Sequence, residues 1–103
     1  MPNFIFAYHG GKTPDSQEEG ARVMAAWNAW YGGMGDKVVN PGGPLGKSST
    51  VTKKGVEAGG GSNPLSGFTV VSADNEVIAT TIAQGCPILD DGGTVEVVEI
   101  IEM

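Results

Sequence analysis

The sequence predicts an α+β chain with the ferredoxin-like order β-α-β-β-α-β, and three observations carry that prediction. An unbroken apolar run, Asn3 to His9, precedes a glycine pair and a helical pattern. A second strand–helix–strand set fills the last third, from Gly67 through Asp74 and Gly85 to Glu102. Between the two sets lie only short β-prone segments, too brief for another helix.

Asn3 to His9 holds Phe4, Ile5, Phe6, Ala7 and Tyr8 without a charge, the pattern of a strand covered on both faces. Gly10-Gly11 turns the chain. Thr13 as N-cap, Pro14 at the first helical position and the acidic Asp15, Glu18 and Glu19 then predict a helix start. Val23, Ala26, Trp27, Trp30 and Met34 recur at three- and four-residue spacing, with Met24 and Tyr31 widening the arc, and the helix stops near Gly32-Gly33 or Gly35. Lys37–Asn40 reads as a brief strand and Ser49–Lys53 as an edge or hairpin strand, with Pro41-Gly42-Gly43-Pro44 between them and the loop Gly59–Pro64 after them.

Gly67–Ser72 is the next strand. Asp74 is the expected cap of a second helix with Ile78, Ala79, Ile82 and Ala83 on one face, stopped by Gly85 and Pro87. The last strand, Thr94–Glu102, alternates Val95 and Val97 against Glu96 and then shifts parity at Val98, which predicts either a bulge or a strand covered in part on both faces. Residues 1–103 read as one domain. Two helices cover one face of such a sheet, and because neither face of the first strand is polar, the other predicts a homodimer.

Six basic against twelve acidic side chains give a net charge of −6, which argues against nucleic acid and anionic membrane surfaces. No apolar run is long enough to span a bilayer. A single cysteine, Cys86, cannot form an internal disulfide, and no export signal opens the chain, so the expected location is the cytoplasm.

Candidate chemistry centres on His9, the only histidine, placed where the first strand meets its glycine turn. It suits acid or base work, with Asp36 as the first guess for an orienting carboxylate; a hydrogen-bonded structural residue is the competing reading. Tyr8, Trp27, Trp30 and Tyr31 are read as core and dimer interface or as the wall of an apolar ligand pocket. Gly46-Lys47-Ser48 resembles the end of a phosphate-binding loop, but Pro41 stands where its first glycine belongs. Cys86 at a helix C-terminus is a poor nucleophile and reads as packing. His9 with Asp90 or Asp91 matches no metal-ligand spacing, and no metal or cofactor is expected.

Tyr8-His9-Gly10-Gly11, Met24-Ala25-Ala26-Trp27, Gly43-Pro44-Leu45, Gly85-Cys86-Pro87 and Gly92–Val97 together resemble the YCII-related, DGPF-type family of small dimeric α/β-barrel proteins across nearly the whole chain. The resemblance implies a ferredoxin-like subunit, a dimer closing a barrel, and a cleft that in some relatives holds a His and Asp pair. One relative is a dehydrochlorinase in aromatic degradation. Members often carry a histidine in the first helix, where this chain has Val23 and Met24. Two functions therefore stay open: a module binding a small ligand or partner, and a cofactor-independent enzyme acting on a small aromatic or carbonyl compound through His9.

Overall fold

The computed structural model describes residues 1–102. Strand β1 (Asn3–His9) leads into helix α1 (Gln17–Met34); β2 (Val38–Pro44), a small hairpin of β3 (Ser49–Thr52) and β4 (Gly55–Ala58), and β5 (Leu65–Ser72) follow, then helix α2 (Glu76–Ala83) and β6 (Thr94–Ile100). Four strands form one antiparallel sheet in the order β2-β5-β1-β6, and β3 and β4 pair only with each other. With the hairpin set aside, this is the ferredoxin-like β-α-β-β-α-β arrangement.

Both helices begin later than expected. Ser16, not Thr13, caps α1: its side chain accepts a hydrogen bond from the Glu19 backbone N–H at 3.1 Å. Ser16 has Glu19 three residues ahead, the capping-box spacing, whereas Thr13 has only Ser16 there. Asn75, not Asp74, caps α2, with Oδ1 accepting from the Ile78 N–H at 2.9 Å. Gly35 ends α1 with φ +55°, as a glycine there permits.

Alternation along β1 divides the molecule. Phe4, Phe6 and Tyr8 are buried on the face that the helices cover, with Thr69 and Val71 of β5 beside them and Met34, Ala79, Ala83, Cys86 and Ile88 completing the core. Trp30 stacks on Phe6 with centroids 6.0 Å apart and donates its indole N–H to the Ile82 carbonyl, tying α1 to α2. Of the helical stripe, Met34 is buried, Val23, Trp27, Trp30 and Tyr31 are half-buried, and Ala26 faces solvent.

The opposite face carries Ile5, Ala7, Phe68, Val70, Val98 and Ile100, brought together by the pairings Ile5↔Val70, Ile5↔Val98, Ala7↔Phe68 and Asn3↔Ile100. No helix covers it; the shortest extent of the molecule is 18 Å, the thickness of one helix layer on one sheet. The parity shift in the last strand is explained here. β6 pairs with β1 in unbroken register, so Val95 and Val97 point to the helices while Val98 and Ile100 belong to the open face. The irregularities fall instead between Tyr8 and His9 on the β5 side and within β2.

β2 continues, with its register shifts, through Pro41–Pro44, which the sequence placed between two strands. Its outer position explains the tolerance, since an edge proline needs no N–H partner on its solvent side. Gly42 sits at φ +62° with its N–H bonded to Asn40 Oδ1 at 2.9 Å, and a Cβ there would drive into the Phe68 carbonyl.

Candidate functional site

A cleft of about 560 Å³ opens between α1 and the ends of β2 and β5. Its walls are Trp27 and Tyr31 from α1, Tyr8 from β1, Pro41 and Pro44 from β2, and the β5 main chain at Gly67 and Phe68, and the Gly10–Pro14 loop and Ile88 close one end. Most of this surface is apolar carbon. The rings are fixed against one another: Tyr8 meets Trp27 edge-on at 5.2 Å between centroids, and Trp27 and Tyr31 lie 5.9 Å apart.

Where the walls meet, three hydroxyls and a carbonyl form one network. Tyr8 Oη donates to Thr69 Oγ1 at 2.7 Å, Thr69 Oγ1 donates to the Pro41 carbonyl at 3.1 Å, and Tyr31 Oη lies 3.1 Å from Thr69 Oγ1 and 3.3 Å from the Pro41 carbonyl. Burial pushes the Tyr8 phenol well above its ordinary value, against the opposing pull of its Thr69 hydrogen bond. Tyr8 therefore stays neutral and serves as a fixed wall, not as a base. Burial likewise pushes the nearby Cys86 thiol up to about 11, so it is not a thiolate nucleophile at neutral pH.

Charge in the cleft wall is sparse. Lys12 Nζ is held by Asp15 at 3.1 Å and Glu19 at 3.8 Å, and Asp91 lies in the lining near Ile88. Ser66, also in the wall, has its Oγ buried without a hydrogen-bond partner. Among the described residues no group of three His, Cys, Asp or Glu side chains could hold a metal ion.

His9 is elsewhere. It follows Tyr8 and so points to the open face, where it is 7% exposed. Nδ1 lies 3.0 Å from the Asn63 carbonyl and 3.2 Å from the Pro64 carbonyl, and Nε2 lies 3.0 Å from Glu96 Oε1. Carbonyls only accept, so Nδ1 carries a hydrogen and the ring clamps the loop before β5 to β6. The carboxylate partner is thus Glu96, not Asp36. Asp36 lies in the turn before Val38, which pairs with Val71 and through it with Phe4, at the far end of β1 from His9. Glu96 sits opposite Ala7 on β6, one diagonal step from His9, a relation only the register discloses.

Of the aromatic residues singled out from sequence, Tyr8, Trp27 and Tyr31 line the cleft and Trp30 does not. Phe68, Thr69, Pro41 and Asp91 were missed. Tyr8, Gly10, Gly11, Gly43 and Pro44, which belong to two of the short motifs that carry the family resemblance, all line this one cleft.

No protein-family model matches the chain, and no curated protein sequence does. In fold it is similar to the solved structure of a 5-chloro-2-hydroxyhydroquinone dehydrochlorinase from Burkholderia phenoliruptrix, in complex with 2,5-dihydroxybenzoquinone. The TM-score is 0.56 at 16% identity, covering 100% of this chain and 94% of that one. That likeness shows the fold: an α+β, ferredoxin-like subunit. Among the described residues no helix is long and apolar enough to cross a membrane.

Proposed function

We propose that this chain is a YCII-related, cytoplasmic homodimer that binds a small aromatic molecule in the cleft between α1 and the ends of β2 and β5. The carrying observation is the cleft itself. Its volume of about 560 Å³ falls within the range of small-molecule sites, and it joins aromatic walls to a few fixed polar atoms. The fold likeness to an enzyme solved with a quinone, and the resemblance of Tyr8–Gly11 and Gly43–Leu45 to the family, support the same reading.

Dimerisation is supported by the open sheet face. Val98 and Ile100 are exposed there beside half-buried Ile5, Phe68 and Val70, an apolar surface that a second copy would cover. Light scattering at micromolar concentration should give twice the chain mass; a stable monomer would remove this part of the proposal.

An enzyme acting through His9 has less support, because both ring nitrogens are engaged on the face away from the cleft. The cleft reading is tested by titrating one- and two-ring aromatic molecules while following tryptophan fluorescence. Saturable quenching that Trp27→Ala abolishes and His9→Gln preserves is expected. Absence of saturable binding across the set, or binding lost only in His9→Gln, would sink it.

A further inference from the structure

The three hydroxyls where the cleft walls meet have three hydrogens among them, and the arrangements that give each hydrogen a partner in the network are two. Tyr8 Oη donates to Thr69 Oγ1 at 2.7 Å. Thr69 donates to the Pro41 carbonyl, and Tyr31 donates to Thr69 Oγ1 or to that carbonyl; alternatively Thr69 donates to Tyr31 Oη and Tyr31 donates to the carbonyl. In neither arrangement does a hydroxyl hydrogen remain for a ligand. What remains is acceptor capacity, since a phenol oxygen that donates still has lone pairs.

Access narrows this to one atom. Thr69 is 0% exposed and Tyr8 4%, whereas Tyr31 is half-buried and lines the cleft. The Pro41 carbonyl lies within reach of two hydroxyls already. Tyr31 Oη is therefore the acceptor that the network leaves available. The rest of the wall disfavours anions: among the lining residues Lys12 is the one cation, it is held by Asp15 and Glu19, and Asp91 adds a carboxylate.

We infer that the cleft selects uncharged aromatic molecules bearing a hydroxyl group, whose O–H donates to Tyr31 Oη while the ring lies against Trp27 and Tyr8. This rests on the proposed ligand-binding role of the cleft and adds the ligand's chemistry. Tyr31 is the specificity-determining residue, because at that contact a hydroxyl ligand offers a donor hydrogen where its methyl ether offers only a methyl group.

The test compares hydroquinone, 1,4-dimethoxybenzene and benzoate by calorimetric titration of the intact protein and of its Tyr31→Phe and Trp27→Ala variants. One hydrogen bond predicts that hydroquinone binds roughly 3- to 10-fold more tightly than the dimethyl ether, with benzoate weaker than either. Tyr31→Phe should erase the preference while leaving the ether's affinity unchanged, a ratio that a merely structural role of Tyr31 would not move. Equal affinity of hydroquinone and its ether, both lost in Trp27→Ala, would overturn the inference and leave the cleft reading standing. Tight benzoate binding would also overturn it. Failure of all three to bind would remove both.

Discussion

Tyr8 and His9 are neighbours on one strand, both polar-tipped and both more than nine-tenths buried, yet they do different work. Tyr8 points to the helix face, where its ring walls a cleft and its oxygen anchors a hydroxyl network. His9 points to the open face and ties a loop to the last strand. The pair teaches that strand parity, not chemical versatility, decides which side chain meets a ligand. The cleft belongs to the tyrosine, one residue before the histidine.

The largest expected difference is between the two faces of the strand. Phe6→Ala, in the core under Trp30, should destabilise the fold by roughly 3–5 kcal/mol in urea unfolding. Ile5→Ala, on the open face, should have a smaller effect on the subunit and act chiefly on self-association. Equal losses with unchanged oligomeric state would show that the open face is already packed.

Next in size is a loss of stability at high pH. Cys86 is raised in the folded state from its ordinary 9.0 to about 11, and Tyr8 is raised as well, both by burial. The unfolded chain therefore gives up these protons first. Stability from Cys86 is fully present below pH 9 and is lost as pH rises toward 11, a change on the order of 2 kcal/mol. Urea midpoints should fall across that window in the native chain and fall less in Cys86→Ala; a flat profile would contradict the burial of both groups.

Tyr8→Phe should cost about 1 kcal/mol, because a buried hydrogen bond to Thr69 is lost while the ring stays. Two-state unfolding measures it, and a loss beyond about 3 kcal/mol would mean that the whole network depends on that one hydrogen. His9→Gln should be milder still for the fold. It should speed hydrogen exchange around Asn63 and Pro64, whose carbonyls accept from the ring, and leave cleft affinity intact. Lost affinity would shift the functional site to the open face. The smallest effect is expected from shortening Gly59–Ser62, an exposed loop whose closure entropy varies slowly with length. Loss of cooperative unfolding would show that it does more than connect.

Most of the fold was legible in the sequence because apolar periodicity and glycine punctuation are local signals: both sheet–helix–sheet sets, and the hairpin reading of Ser49–Lys53, rest on them. Helix starts were misplaced by one to three residues where several competent caps lie together, as at Thr13, Asp15 and Ser16 or at Asp74 and Asn75. β2 was cut short at Asn40 because Pro41 and Pro44 disqualify a central strand but not an outer one. The site was half legible. Of the aromatic residues at helical spacing, Trp27 and Tyr31 line the cleft, whereas Trp30, one turn from Trp27, stacks on Phe6 instead. The partner of His9 was out of reach, because Glu96 is 87 residues away and meets it only through strand register.

The sheet's two outer strands also guard their borders differently. β2 is broken by Pro41, Gly42 and Pro44 and offers no continuous row of amides for another chain to pair with. β6 is regular from Thr94 to Ile100 and apolar at four of its seven positions, so its free border is a template for fibrous aggregation. Glu96 and Glu99 interrupt that run, and in a chain of net charge −6 they set like charges against each other whenever two such borders approach. Acid or concentrated salt, by muting that repulsion, would weaken the guard on the β6 border.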